Sequence, residues 1–330
     1  MKRTKLSALL VVILLAAVFM FGCANDSKNG VQGDGTTNVE NINNIDNSKY
    51  PMEIEDGFGN IITINEKPEK VISISPSQTE VLFALGLEDK VVAVSDYCDY
   101  PAAALEKEKV GSALAINIEK VLELDPDILF LYSEVSPEAI EQLRANEIIV
   151  MMHSPETTEE IFNNILQVGK LMDVEEKAEQ IVGEMKDKKE SIVKKVKDAD
   201  KVRVFYQVWD EPLMTAGEGS FIHELITLAG GENVAADGDG AYPQYSVEAM
   251  IEKDPEVYIA PAHTLEDFTL DTEEMNALKN TIKSRPGYDV ISAVKNDRIE
   301  LLEPNIVSRP GVRTIEALEL IAKAIHPELF

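Results

Sequence analysis

EEKAEQIVGEMKDKKESIVKKVK, residues 175–197, is the stretch on which the fold turns. It holds no proline and a single glycine, Gly183. Ala178, Ile181, Val182, Met185, Ile192, Val193 and Val196 recur in steps of three, four and seven, so they share one stripe of a helix. Lys, Glu and Asp cover the rest of its surface. At the helical rise per residue, such an element reaches roughly 35 Å, about the width of a small domain. Short apolar segments precede it as far as Met152, and a similar series begins again at Val202. The pattern predicts a stiff spine joining two lobes, where a Gly/Ser linker would be a loose joint. An ordinary surface helix of one larger domain is the plainer alternative, and an internal repeat decides against it.

On the amino-terminal side, MEIEDGFGNIITI (residues 52–64) alternates apolar and polar residues around a Gly-rich turn and predicts a β-hairpin. A strand at Val71–Ile74 then runs into Ser75-Pro76-Ser77-Gln78, an N-cap, a proline at the first helical position and a capping partner. Strands at Val91–Val94, Ile128–Tyr132 and Ile148–Met152 alternate with helices at Ile118–Leu124, Pro137–Asn146 and Thr158–Met172. Beyond the spine, strands at Val202–Trp209, Val257–Ala260 and Arg298–Leu302 alternate with helices at Ser220–Ala229, Val247–Lys253, Thr272–Lys283 and Val312–Ile325. This rhythm, with β-branched apolar runs, predicts an α/β fold of two similar lobes, each a mostly parallel sheet flanked by helices. The length and the 45% hydrophobic content allow each lobe its own core.

The repeat is IEKVLELDPDI (residues 118–128) against VEAMIEKDPEV (residues 247–257), aligned without a gap. Both read apolar–Glu–x–apolar–apolar–Glu–x–Asp–Pro–acid–apolar. One copy on each side of the spine points to two equivalent lobes facing one another.

Acidic residues outnumber basic ones by 59 to 31, for a net charge of -28, and no Lys/Arg stripe suits nucleic acid. Residues 1–22 carry a basic start and an apolar run from Leu6 to Phe21, an export signal. Met20-Phe21-Gly22-Cys23 resembles the bacterial lipobox, so Cys23 is expected to be acylated and to hold the protein at the membrane. Residues 23–50, rich in Asn, Gly, Asp and Ser, form a tether. The expected lobes are residues 51–173 and 199–330, with the spine at 174–198. Cys98 is the only other cysteine, which leaves no internal disulfide in the mature body.

A cleft between two lobes is where a ligand site forms, on loops beyond the carboxyl ends of the strands. Those loops carry Tyr97, Tyr100, Tyr132, Trp209, Tyr242 and Tyr245, although aromatics are only 6% of the chain. Flat amphipathic rings suit a large, partly apolar ligand with polar edges. Arg309 stands before the last helix and could bring its fork to the cleft, whereas Arg313, in the first turn, is expected to pair with surface acids. His153, His223, His263 and His326 are the only histidines; without HxH, HExxH or paired cysteines no metal site is expected, and a metal-ion-binding lipoprotein is kept as the alternative of another class. GxSxG, GxxxxGK[ST], CxxC and GxGxxG are all missing, so neither an enzyme nor a bound cofactor is expected.

The segments 72–101, 117–132, 203–217, 230–234, 242–257 and 308–318, in this order, resemble the substrate-binding proteins of ABC importers for vitamin B12 and iron–siderophore complexes. DYCDYP and YPQYS bring the resemblance nearest to the cobalamin-binding branch, and it spans residues 52–330. It implies the helical-backbone periplasmic-binding-protein fold. Tyr97, Tyr132 and Tyr242 match aromatics lining the corrinoid cleft, and Arg309 matches a cleft arginine. Glu119 and Glu248 match the acidic residue with which each lobe docks onto permease arginines. The cobalamin binders have a tryptophan where this chain has Ala113 or Leu114, and a phenylalanine where it has Met214, with Trp209 nearby. The resulting expectation is a monomeric, extracytoplasmic, lipid-anchored receptor. It would deliver cobalamin or another corrinoid to an ABC permease dimer with its ATPase subunits. A ferric siderophore or haem receptor is the alternative within the class.

Overall fold

The computed structural model describes residues 49–133, 137–262 and 272–330. The leader, Cys23, most of the tether and His263 lie outside the described residues. Among the described residues no helix is long and apolar enough to cross a membrane.

Strands β1 (Met52–Glu55) and β2 (Ile61–Ile64) form the expected antiparallel hairpin. Asp56 closes its turn by accepting from the Phe58 and Asn60 N–H groups, each at 2.9 Å. Next come β3 (Val71–Ser73), α1 (Pro76–Ala84), β4 (Val91–Val94), β5 (Glu108–Lys109) and a small hairpin, β6 (Gly111–Ser112) and β7 (Ala115–Ile116). Helix α2 (Ile118–Leu124), β8 (Ile128–Leu131), α3 (Pro137–Ala145), β9 (Ile149–Met152) and α4 (Thr158–Leu171) complete this half. Its sheet has the order β5-β4-β3-β8-β9, with every pairing parallel.

Helix α5 (Glu175–Val196) is the spine. Glu175 and Glu176 occupy its first turn and Lys194 and Lys195 its last, charges that complement the helix dipole at both ends. Beyond it lie β10 (Val202–Trp209), β11 (Met214–Thr215), α6 (Phe221–Leu228), β12 (Gly231–Asn233), α7 (Val247–Lys253) and β13 (Val257–Pro261). They are followed by α8 (Thr272–Lys283), α9 (Ser292–Lys295), β14 (Ile299–Leu302), α10 (Pro304–Val307) and α11 (Thr314–Ile325). In this sheet β12, β10, β13 and β14 are parallel neighbours in that order, and β11 adds an antiparallel edge. The order β12-β10-β13-β14 reproduces β4-β3-β8-β9, so the halves share one topology.

The repeat extends to backbone detail. Asn117 and Ser246 cap α2 and α7 by accepting from the Lys120 and Ala249 N–H groups, both at 3.1 Å. Both helices end at a left-handed Asp, Asp125 (φ 49°) and Asp254 (φ 46°). Then Asp127 accepts from the Glu69 and Lys70 N–H groups at 2.7 and 2.8 Å, and Glu256 from the Arg203 N–H at 3.1 Å. The repeated acid therefore holds the start of the neighbouring strand.

The two lobes share their main core, and each keeps a smaller one of its own. One apolar cluster runs from Val71, Ile128 and Phe162 through Ala178, Val182, Met185, Ile192 and Val196 of the spine to Val204, Ile259, Ile321 and Ile325. Smaller clusters fill the other face of each sheet. Gly169 of α4 packs so closely on the spine that a Cβ there would collide with the Ala178 methyl. In an open helix Gly→Ala stabilises by about 1 kcal/mol. Here Gly169→Ala is expected to destabilise instead, by about 1–3 kcal/mol. Urea unfolding measures the sign, and a raised midpoint would show that the seam has slack.

Candidate ligand-binding cleft

Parallel strands carry their loops out at the carboxyl ends, and here the loops of both sheets border one cavity of about 360 Å³. From the first half come Ile74 and Ser75 after β3, Tyr97 after β4, Ala113 at the β6–β7 turn and Tyr132 after β8. The second half contributes Tyr206 and Val208 of β10, Phe221 at the start of α6, Tyr242 before α7, and Arg309 after α10. A concavity of about 350 Å³ also lies between the first hairpin and α4, but it draws on one half only and is rimmed by Glu55, Asp56, Glu156 and Glu160.

Tyr97, Tyr132, Tyr242 and Arg309 therefore share a cavity, as the loops predicted. Trp209 does not line it. Side chains alternate along a strand, and Tyr206 and Val208 face the cavity, so position 209 falls on the opposite face. A register shift between Gln207 and Trp209 interrupts the ladder, and Trp209 pairs with Met214 beyond it. Trp209 is 54% exposed and donates through Nε1 to the Glu211 carbonyl at 3.2 Å. Tyr206, which the sequence reading missed, is wholly buried on the wall. Its hydroxyl completes no hydrogen bond among the described residues, although Ser308 stands beside it. Tyr206 falls on the cavity side by the same alternation, and an even count along β10 would have found it.

Arg309 is not a free fork. Its Nη1 donates to Asp99 at 2.6 Å and to Glu80 at 3.2 Å, and its Nη2 to the Tyr97 carbonyl at 3.4 Å. Arg313 pairs with a buried acid rather than a surface one: Nε and Nη2 donate to the two Glu80 oxygens at 2.8 and 2.6 Å. Its guanidinium also lies 4.1 Å from the Tyr100 ring centroid. The Glu80 side chain is only 1% exposed. It belongs to α1 and both arginines to the far half, so the cluster ties the halves across the mouth. Glu80 is the one charge within PSQTEVLFA, and a charge in such an apolar helix announces a buried partner.

A second tie is reciprocal. Glu224 of α6 accepts from the Thr158 N–H at 2.6 Å, capping α4, while Glu156 accepts from the Phe221 N–H at 3.2 Å, capping α6. Glu156 also accepts from the Tyr242 hydroxyl at 3.2 Å. Burial pushes the Glu156 carboxyl up, against the pull of those two donors. It raises Tyr132 and Tyr242 as well, with the Glu156 charge adding to both. The cavity thus presents neutral phenols, which offer apolar faces and hydrogen-bonding edges.

Glu119 and Glu248 are exposed at the second residue of α2 and α7. Each helix runs back from the carboxyl-end rim of its sheet to the start of the next strand, which leaves both glutamates at the rim. Ser246 donates to Glu248 at 2.9 Å. The three described histidines do not converge. His153 is buried beside Phe130, His223 meets Asn233 at 3.2 Å, and His326 lies buried beside Gly230. Among the described residues no group of three His, Cys, Asp or Glu could hold a metal ion.

A periplasmic binding protein family profile matches residues 71–306. The chain belongs to that family. An uncharacterized ABC transporter substrate-binding lipoprotein of Bacillus subtilis, YvrC, is 31% identical over 334 residues, 99% of each chain. The vitamin B12-binding protein of Vibrio cholerae is 32% identical over 254 residues, 77% of this chain and 87% of its own. Among solved structures, a possible iron-binding (periplasmic solute-binding) protein of Staphylococcus epidermidis superposes with a TM-score of 0.68 at 28% identity. That match covers 79% of this binding protein and all of the other chain.

Two stability tests follow from this geometry. Glu80→Gln leaves the Arg313 guanidinium without its buried counter-charge and Arg309 with Asp99 alone, and is expected to cost about 3–5 kcal/mol in urea unfolding. A loss below about 1 kcal/mol would mean that water already solvates the cluster. Burial lowers His153 to about 4. Between that value and its ordinary pKa near 6.5, the unfolded chain takes up a proton that the folded chain refuses, so stability falls as pH drops through this window. The loss should approach about 3 kcal/mol, and His153→Leu should flatten that part of the profile. An unchanged slope would assign the acid sensitivity to another group.

Proposed function

We propose that this protein is the extracytoplasmic substrate-binding component of an ABC importer, anchored through acylated Cys23, which captures a corrinoid, cobalamin first among them, and passes it to the permease. The observation that carries the reading is the cavity between the carboxyl ends of the two sheets, walled by Tyr97, Tyr132 and Tyr242 from both halves. Aromatic faces bind a large ring by area and shape, and protonated phenols meet its amide edges. A corrinoid is larger than the cavity. One face would lie inside and the remainder against Tyr97, which is 67% exposed at the mouth. The vitamin B12-binding relative supports this choice, and the iron-binding neighbour supports the ferric siderophore or haem alternative. Glu119 and Glu248, set at equivalent places on the rim, would meet the two equivalent faces of a permease dimer coupled to its ATPase subunits. The protein acts as a monomer in this scheme and carries no cofactor of its own.

Isothermal titration with cyanocobalamin, haem, and ferric catecholate and hydroxamate complexes tests the ligand. Heat is expected with cyanocobalamin, with Tyr97→Ala and Tyr242→Ala each weakening binding by about tenfold. Binding of an iron complex with no response to the corrinoid would replace the first reading with the second. Glu119→Lys with Glu248→Lys should leave that affinity unchanged and abolish uptake of labelled cobalamin by cells. Normal uptake would remove the docking role.

A further inference from the structure

Among the described residues lining the cavity, Arg309 is the only one with a charge. A guanidinium on an otherwise apolar wall, its side chain 13% exposed, is the natural receptor for a carboxylate, sulfonate or phosphate on a guest. Its charge is nevertheless already matched. Glu80 gives both oxygens to Arg313 at 2.8 and 2.6 Å and only a longer 3.2 Å contact to Arg309. Asp99 makes the short bond, 2.6 Å, and its other oxygen accepts from Asn305 at 3.2 Å. Two cations and two carboxylates therefore balance. Glu303 lies close enough to feel Asp99 and both arginines, but makes no ion pair with either among the described residues. Asp99 also differs from Glu80 in access: its side chain is 42% exposed, against 1%.

We propose that Asp99 is a specificity-determining residue, a built-in counter-anion that occupies Arg309 and turns anionic ligands away from the cavity. The site then selects bulky guests whose polar edges are neutral, such as amides and hydroxyls. A guest with a free acid would have to displace Asp99 or sit beside its like charge. This selectivity rests on the reading of the cavity as the ligand site, and it is testable without knowing the natural ligand.

N-Phenyl-1-naphthylamine and 1-anilinonaphthalene-8-sulfonate share one aromatic skeleton and differ by a sulfonate. Fluorescence titration of the wild-type chain is expected to favour the neutral probe. Asp99→Asn should raise affinity for the sulfonate at least about tenfold, the size of a like-charge contact relieved, and leave the neutral probe within about twofold. Adding Arg309→Met to that variant should return the sulfonate to its wild-type affinity. Asp99→Ser, with a short neutral side chain, serves if the amide variant does not fold. No gain for the sulfonate, an equal gain for both probes, or a gain that survives loss of Arg309 overturns the proposal. A matched pair, cyanocobalamin and its monocarboxylic acid derivative, adds a second arm in which Asp99→Asn should narrow the preference for the amide. If the wild-type chain binds no corrinoid while the naphthalene probes behave as expected, the corrinoid reading fails and the role of Asp99 stands.

Discussion

One apolar seam sets the relation between the two sheets. Near its start the spine touches α4 where Gly169 meets Ala178, and near its end Val196 lies against Gly230 beside His326. Each contact is made at a glycine, where helix and chain come together without a side chain between them. A rod of 22 residues held in this way at both ends cannot swing as a linker would. The lobes can open only as far as the spine bends or the seam yields. The cavity follows from that restriction, because parallel strands put their loops at one end and the spine keeps the two ends opposite each other.

Across the mouth, the constraint is electrostatic. Glu80 cannot stand alone in the apolar first helix, and its counter-charges come from a segment more than two hundred residues later. A buried pair of this kind adds little net stability over an apolar filling, but losing one member is costly. It therefore acts as a register mark, defining which closed arrangement is allowed. Opening would admit water to the same charges and lower the cost of parting them. The carboxylates of Glu156 and Glu224 work similarly, since each caps a helix of the opposite half. Because Glu156 also accepts from the hydroxyl of Tyr242, the cavity wall is joined to the contacts between the halves.

Local rules were enough to read most of the scaffold. The period of the spine, the Ser75-Pro76 start of α1 and the Asp-Pro breaks are statements about neighbours in sequence, and the structure keeps them. Tyr97, Tyr132 and Tyr242 could be placed because loops after parallel strands share one edge. Trp209 was misplaced by a single residue of strand parity, which a propensity argument does not resolve. The state of Arg309 could not be read at all. Whether a guanidinium is free depends on Asp99 and Glu80, whose distance from it in the chain leaves no local signature. The same holds for Arg313. Two-residue strands such as β6 and β7 are also too short to show a period.

The repeat itself separates residues that the fold requires from residues that it leaves free. Val121 and Met250 are buried, Asp125 and Asp254 take the left-handed turn, and Asp127 and Glu256 hold the adjoining strand. Each of these matches is required by the shared fold, and none needs a partner. Two matched acids remain in each copy. Glu123 and Glu252, exposed near the ends of their helices, lie toward the amino edge of the sheets and away from the cavity. Glu119 and Glu248 stand at the opposite end, on the rim. A carboxylate in a first helical turn gains only a few tenths of a kcal/mol from the dipole, an amount many residues could supply. What sets these two apart is their place on the rim, beside the mouth of the cleft.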